Sequence, residues 1–344
     1  MVSAVLAGIA VSPSRPFDDP EFARQVGRKG QAARVAADKR RRGQVEPLGG
    51  TIVELACAID DFQGPSWATW WAFLKALFAL PLASEELAAF RRFTGRETAP
   101  ATPIPEGWVI AGRKAGKSAI AALVATYLAA CVDWRPMLRR GEPGVVMCLA
   151  SERRQAGIVL RYVRALFEHP VLAPLVGRRT REALELRTHV QIEVHSAQYR
   201  GVRGHTVVGC VCDEIAFWRD ETSGAANPDV EILAAVRPAM ATVEGSVLLA
   251  ISSPYWKRGE LFEAYERYYG QAAADVLVWQ APTRSMNPRV TPATVDRAYA
   301  KDPLRAAAEW GAEFRRDVEA YVAPEVLAAC TTPGVYERPP LLAG

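Results

Sequence analysis

Short apolar runs alternate with helical segments from residue 106 onward, and this alternation restricts the chain to few folds. The runs are rich in β-branched residues and almost free of charge, which is typical of strands that are buried on both faces. We therefore predict an α/β fold whose mostly parallel sheet has helices on both faces. The predicted strands cover 108–111, 145–150, 190–194, 207–212, 247–251 and 276–279, and the predicted helices cover 117–131, 153–167, 230–240, 260–269 and 303–314.

The chain before residue 106 has a different character. Residues 1–50 hold nine Lys/Arg against five Asp/Glu and show no sustained periodicity, which predicts a basic, flexible leader. This leader either contacts nucleic-acid phosphates or is simply a solvated tail. Aromatic residues at helical spacing predict a small helical region over 51–105, with the aromatic stripe in the core. The main domain would then cover 106–320, with 321–344 as a linker.

The composition argues against several classes of protein. Half of the 344 residues are hydrophobic, so the chain can bury a large core. No segment reaches transmembrane length without charges, and we expect a soluble intracellular protein. The six cysteines are scattered and Cys210 and Cys212 alternate along a predicted strand, so we expect buried thiols and no disulfide framework. With four histidines and no paired ligand motif, we expect no zinc site.

A glycine-rich turn, GRKAGKS, follows the first predicted strand and leads into a helix. In the phosphate-loop pattern G-x-x-x-x-G-K-[ST], backbone N–H groups surround the phosphates, the lysine reaches the β and γ oxygens, and the hydroxyl holds Mg²⁺. Gly116, Lys117 and Ser118 match this pattern. Ala111 stands where the first glycine is expected, with Gly112 one place later. Taken alone the match is weak, but the strand before it and the helix after it favour anion binding.

A second apolar run, TVVGCVCDEIAFW (206–218), ends in Asp213 and Glu214. Taken alone, such a pair is usually a solvated turn. Combined with a lysine loop earlier in the same alternating fold, it indicates nucleotide hydrolysis. The aspartate would hold Mg²⁺, and the glutamate would polarise the attacking water.

A third run ends in Ser252 and Ser253, whose hydroxyls either sense the γ-phosphate or cap a helix or turn. An arginine commonly meets the charge on a transferring phosphoryl group. The candidates are Arg113 in the loop and Arg200 or Arg203 in the polar stretch before the carboxylate strand. Arg113 is favoured because its position within the turn restricts where its side chain can lie.

Together these segments resemble the ATPase half of tailed-bacteriophage terminase large subunits over roughly residues 60–340. The resemblance rests on GRKAGKS, CDEIAFW, AISSPYWKRGELFEAY and VWQAPTRSMNP in that order, with WATWWAFLKALF and FTGR upstream. It implies a P-loop NTPase of the RecA-like (ASCE) type, and it makes the loop without a leading glycine a family trait. It also implies ATP contacts, Mg²⁺ ligands and catalytic groups. These are Gly112, Arg113, Lys114, Ala115, Gly116, Lys117, Ser118, Ser252 and Ser253 for ATP, Ser118 and Asp213 for Mg²⁺, and Glu214, Arg113 and Arg203 for catalysis.

The function implied by this resemblance is an ATP-hydrolysing motor that packages double-stranded viral DNA into procapsids. Such a motor would work as a ring of identical subunits on the portal protein, with a small terminase subunit, in the host cell cytoplasm and away from membranes. Family members normally continue into a nuclease domain, and this chain stops near where that domain would begin. We therefore expect no nuclease site in this chain and a separate nuclease subunit.

Three alternatives remain open from the residues. The chain is either a non-catalytic DNA-binding or assembly remnant of a terminase, another P-loop nucleic-acid translocase, or a phosphotransferase or GTPase. The sequence has no Asn-Lys-x-Asp guanine signature, and an Asp-Glu pair suits water activation better than transfer to an acceptor.

Overall fold

The computed structural model describes residues 45–139, 141–151, 153–196, 204–218, 228–272, 275–315 and 329–331. Most of the predicted leader, most of the predicted linker, Arg200 and Arg203 lie outside these residues. The described strands form one eight-stranded sheet in the order β3-β4-β5-β2-β6-β7-β1-β8. They are β1 Glu106–Ala111, β2 Gly144–Ala150, β3 Val176–Arg179, β4 Ala183–Leu186, β5 Val190–Ser196, β6 Thr206–Asp213, β7 Val247–Ser252 and β8 Val276–Ala281.

The six predicted strands are β1, β2, β5, β6, β7 and β8, and these pair in parallel. The sequence missed β3 and β4, which extend the sheet by antiparallel pairing at one edge. These two strands are four residues each, and Arg178 and Arg179 leave β3 without an apolar run. Short, charged edge strands of this kind escape a search for continuous apolar segments.

The order of the parallel strands places β7 between β1 and β6. The predicted α/β fold with a mostly parallel sheet is confirmed by the order and pairing of the strands.

Helices cover both faces of this sheet. Alternate residues of β1 divide between two buried clusters: Val109 and Ala111 pack with α4, whereas Trp108 and Ile110 pack with α6 and α7. The helices are α1 Ile52–Ile59, α2 Ala68–Leu77, α3 Ser84–Thr94, α4 Lys117–Ala130, α5 Arg153–Leu166, α6 Pro228–Met240, α7 Glu260–Tyr268, α8 Thr283–Met286, α9 Pro292–Lys301 and α10 Pro303–Glu309. Prolines precede or begin each of the last three, which explains why this region is broken into short helices.

The aromatic stripe of the lead-in region packs in the core, as predicted. Trp70 and Phe73 of α2 are fully buried, and the Phe73 ring lies 5.7 Å from the ring of Trp279 on β8, in an edge-on contact. Helices α1, α2 and α4 share one hydrophobic cluster. The helical lead-in therefore supports the sheet directly.

The cysteines are all free, and all but Cys330 are buried, as the sequence predicted. Cys210 and Cys212 lie with their sulfurs 3.7 Å apart inside the core. Among the described helices, none combines the length and apolarity that crossing a bilayer requires.

Candidate functional site

The three predicted motifs meet at one edge of the sheet because their strands are parallel neighbours. Ile110 of β1 pairs with Ser252 of β7, and Asp213 of β6 pairs with Ile251 of β7. The glycine-rich turn, the two carboxylates and the two serines therefore leave the sheet side by side. The carboxyl edge of a parallel sheet is where ligands of such folds bind.

The turn after β1 has the backbone conformation of an anion-binding loop. Lys114 and Gly116 both have positive φ, 61° and 94°. Such a conformation costs a residue other than glycine about 1 kcal/mol, so the loop at Lys114 is held under strain. No side chain caps the start of α4, which begins at Lys117. The N–H groups of its first turn therefore face the site together with the positive end of the helix dipole.

The displaced first glycine has a steric explanation. A Cβ added at Gly112 would lie 2.2 Å from Thr283 Oγ1 and 2.9 Å from the carbonyl oxygen of Glu309. Ala111, in contrast, is the buried last residue of β1 and keeps ordinary strand geometry. The close approach therefore requires glycine at 112 and not at 111.

The ammonium of Lys117 lies at the junction of all three motifs. It is 7% exposed and donates hydrogen bonds to the carbonyls of Ala111 and Gly112, both at 3.2 Å, and to Ser253 Oγ at 2.8 Å. The same nitrogen lies 3.4 Å from Glu214 Oε1. One buried cation thus connects the loop, the carboxylate strand and the serine strand.

The two serines hold the Glu214 side chain. The backbone N–H of Ser253 donates to Glu214 Oε2 at 3.1 Å, and the hydroxyl of Ser252 lies 3.1 Å from the same oxygen. Glu214 itself has a positive φ of 51°, which is a strained conformation for a glutamate. Its side chain remains 28% exposed, so the carboxylate is oriented but still reached by water.

The carboxylate of Asp213 is buried at this edge at a cost in folding free energy. It is 1% exposed, and neither carboxylate oxygen has a hydrogen-bond partner among the described residues. The backbone N–H of Glu214 and the side chain of Gln155 are close enough to favour the ionised form, but neither meets the geometry of a hydrogen bond. Burial, and next the nearby charge of Glu214, raise the pKa of Asp213 to about 7, against the opposing effect of Lys117.

A divalent cation fits this arrangement. Carboxylate and hydroxyl oxygens are the ligands that Mg²⁺ prefers, and Asp213 presents two buried oxygens that lack other partners among the described residues. Ser118 stands in the first turn of α4 and is partly exposed. The unpartnered carboxylate of Asp213 is the observation that favours a cation-binding site here. A bound cation would offset the free energy that burial of this charge costs.

An open cleft of about 880 Å³ lies beside these groups. Its lining includes Arg113, Gln155, Arg161, Glu214, Phe217 and Ser253. The Arg113 side chain is 56% exposed, with Nη2 3.6 Å from Glu309 Oε1. Arg203, the other predicted catalytic arginine, lies outside the described residues.

Sequence reasoning missed the residues that brace the loop from outside. Trp70 Nε1 donates to the Ala115 carbonyl at 2.7 Å, Thr283 Oγ1 to the Arg113 carbonyl at 2.9 Å, and Asn287 Nδ2 to the Lys114 carbonyl at 2.8 Å. Arg113 N donates in turn to the Glu309 carbonyl at 2.6 Å. Thr283 and Asn287 belong to VWQAPTRSMNP and Trp70 to WATWWAFLKALF, both of which carried the resemblance, but no spacing rule pointed to their contacts.

No protein-family model and no curated protein sequence matches this chain. Solved structures of phage proteins do resemble it. The large terminase ATPase domain of Thermus phage P74-26 matches at 17% identity with a TM-score of 0.47, over 70% of this chain and 97% of that domain. The large terminase of bacteriophage HK97 matches at 17% identity with a TM-score of 0.48, over 66% of this chain and 50% of that protein.

A large terminase from a thermophilic bacteriophage, solved in complex with ADP, matches at 10% identity with a TM-score of 0.47, over 70% of this chain and 52% of that protein. This chain spans about half the length of that protein and of the HK97 terminase. All of these TM-scores lie below 0.5, so the functional proposal rests on the geometry of the site.

Proposed function

We propose that this chain binds ATP with Mg²⁺ at the carboxyl edge of the sheet and hydrolyses it to ADP and phosphate. The observation that carries this proposal is the 3.4 Å approach of Lys117 Nζ to Glu214 Oε1, between a loop shaped for anions and a buried, unpartnered aspartate. In this proposal Lys117 would bind phosphate and Glu214 would activate water, and their proximity would let both reach one ligand.

Binding would use the loop residues from Gly112 to Ser118. The N–H groups of the loop and of the first turn of α4 would donate to the β-phosphate. Lys117 would exchange its bonds to the carbonyls of Ala111 and Gly112 for bonds to phosphate oxygens. The exchange is favourable because a carbonyl carries only a partial charge, whereas a phosphate oxygen makes a charge-assisted hydrogen bond.

Asp213 and Ser118 would hold Mg²⁺, which neutralises charge on the phosphate oxygens when it is bound. Glu214 would accept a proton from the water that attacks the γ-phosphorus. As the new P–O bond forms, the bond to the β–γ bridging oxygen breaks and ADP carries that electron pair away. Ser252 and Ser253 would keep the Glu214 carboxylate aimed at the water. Arg113, and Arg203 offered to a neighbouring subunit, would stabilise the charge that develops on the γ-phosphoryl group.

The finer proposal is that ATP hydrolysis drives packaging of double-stranded DNA in the host cytoplasm. The similar solved structures are named as large terminases, and this likeness suggests the packaging hypothesis without supporting it. We propose a ring of identical subunits on a portal protein, together with a small terminase subunit.

The segment after β7 is where we propose that DNA acts on the site. Lys257 is exposed, and the Arg258 guanidinium lies 3.5 Å above the Trp256 ring. Tyr255 in turn contacts the Phe217 ring at 5.2 Å, which joins the segments that follow β6 and β7. Phosphates bound by these cations would therefore be coupled through a few residues to Ser253 and Glu214.

The test is phosphate release with and without duplex DNA. We expect hydrolysis by the wild-type chain, stimulation by DNA that weakens as salt rises, and a loss of at least about 100-fold in Lys117→Ala. Lys301→Ala removes an exposed lysine at the end of α9 and should leave the rate unchanged. If the wild-type chain releases no phosphate while Lys117→Ala still binds DNA normally, the chain is a non-catalytic remnant.

A further inference from the structure

A second cluster of ligand-type side chains lies outside the proposed ATP site. Glu193, His195 and His205 each present one ligand atom, and these three atoms lie within 4.8 Å of one another. Among the described residues, no other group of three His, Cys, Asp or Glu side chains meets this condition. With four histidines and no paired ligand motif, the sequence alone predicts no zinc site.

The sheet brings Glu193 and His195 together, whereas His205 reaches them from the other end of β2, where Thr206 pairs with Gly144. Glu193 and His195 are two residues apart on β5, so their side chains leave the same face. His205 immediately precedes β6, and β2 lies between β5 and β6. The His195 and His205 rings approach edge-on across β2, with centroids 5.5 Å apart.

We propose that Glu193, His195 and His205 bind one Zn²⁺ ion. Two imidazoles and one carboxylate form a donor set that suits this metal, and a water can complete four ligands. In a tetrahedral zinc site the ligand atoms lie about 3.4 Å apart. Glu193 Oε2 and His195 Nε2 are 2.7 Å apart and share a proton, so they need to open only slightly as the ion replaces that proton.

The surroundings are compatible with entry of an ion. The side chains of His195 and Glu193 are 20% and 17% exposed, which shelters the carboxylate while leaving a path from solvent. The competing explanation is a simple Glu193–His195 ion pair with His205 packed against it. Under that explanation the cluster has no affinity for zinc that depends on all three residues.

An ion at this position would have a consequence for the chain around it. His195 comes directly before residues 196–204, and His205 directly after them. That stretch contains Arg203, which is proposed above to serve a neighbouring subunit. One bound ion would thus link His195 and His205, the residues on either side of the stretch that contains Arg203.

The test is a calorimetric titration of metal-stripped, full-length protein with Zn²⁺ in excess Mg²⁺, so that the carboxylates of the ATP site are occupied. We expect one Zn²⁺ per chain, and at least about tenfold weaker binding in His205→Ala and in Glu193→Gln. His189→Asn, at an exposed histidine outside the cluster, and Asp213→Asn, at the other metal site, should both bind zinc as the wild type does. Wild-type protein without zinc affinity, or unchanged affinity in His205→Ala, overturns the proposal.

A second measurement does not depend on how the variants fold. X-ray absorption at the zinc edge of the wild-type complex should show two imidazole ligands and oxygen, without sulfur. A sulfur ligand, or a single imidazole, would place the ion elsewhere and overturn the assignment.

Discussion

The two edges of the sheet differ in whether their charged side chains have partners. At the amino edge, Arg237 Nε lies 2.9 Å from Glu106 Oε1, and Arg237 Nη2 lies 3.2 Å from Glu260 Oε2. At the other end of α6 from Arg237, Asp229 Oδ2 accepts the Glu260 N–H at 2.8 Å. At the carboxyl edge, the Asp213 oxygens have no partner among the described residues, and burial raises the pKa of this group to about 7.

This difference separates residues that stabilise the fold from residues that we propose bind a ligand. A folded chain gains nothing from a buried carboxylate without a partner, whereas a chain that binds a cation there recovers the cost. We therefore expect substitutions at the amino edge to change stability without changing chemistry. At the carboxyl edge we expect substitutions to reduce hydrolysis, and removal of the buried Asp213 carboxylate to increase stability rather than lower it.

The largest effect should come from Glu214→Gln, which keeps the shape of the side chain but removes its basicity. We expect kcat for ATP hydrolysis to fall by about 10²–10⁴-fold, while the Kd of a non-hydrolysable ATP analogue changes little. Glu260→Gln is the matched control at the amino edge and should retain the wild-type kcat. Equal losses of kcat in the two variants would mean that the edges do not differ as described.

Asp213→Asn should stabilise the nucleotide-free protein while abolishing hydrolysis. The raised pKa means that the folded state holds a proton that the unfolded state releases above about pH 4, so unfolding free energy falls as pH rises from about 4 to 7. Above pH 7 the cost of the ionised carboxylate is fully present. Asparagine removes it, and we expect a gain on the order of 1–3 kcal/mol at pH 8 that vanishes near pH 4.

Chemical denaturation of both proteins across this pH range measures the effect. The opposite sign is expected for Asp229→Ala at the start of α6, which should lose about 1 kcal/mol because the N–H of Glu260 loses its acceptor. If Asp213→Asn is less stable than wild type at pH 8, the Asp213 carboxylate must have a stabilising partner in the folded protein.

Trp70→Phe tests the bracing of the loop with little change in packing. Losing the 2.7 Å bond to the Ala115 carbonyl should cost about 1 kcal/mol of ATP affinity, or roughly fivefold in Kd. Trp134 makes an equally short bond to the Leu128 carbonyl, away from the loop, so Trp134→Phe should lower stability without changing Kd. Nucleotide affinity unchanged in Trp70→Phe would show that the brace does not shape the loop.

The smallest effect is expected for Arg237→Met at the amino edge. Its side chain is 41% exposed, so solvent screens its two ion pairs. We expect a loss of no more than about 1 kcal/mol in unfolding free energy and an unchanged kcat. A clear fall in kcat would link this edge to the chemistry.

The parallel sheet was predictable because its strands are continuous apolar runs with no competing helical period. Edge strand β3 was not, since its charged residues carry no such signal. The proximity of Lys117, Asp213 and Glu214 was predictable because each stands at or beyond the end of a strand, and parallel neighbours bring strand ends together. Their individual roles stay predictions.

Contacts between distant segments were beyond the sequence. Nothing in the spacing of Thr283 or Asn287 shows that they reach carbonyls of a loop about 170 residues earlier, because side-chain direction depends on how α8 packs. The same holds for His205, which reaches Glu193 and His195 only across an intervening strand. Sequence patterns encode the strands, while their lateral order decides which side chains meet.

The hydrogen bond from Trp70 makes α2 a support of the proposed phosphate-binding loop, although this helix precedes the sheet in sequence. A recombinant fragment that begins at β1 would leave the Ala115 carbonyl without its donor and Gly116 without the indole of Trp67, which lies 3.0 Å from the position of a Cβ there. The smallest fragment that keeps this support intact therefore begins upstream of Trp67.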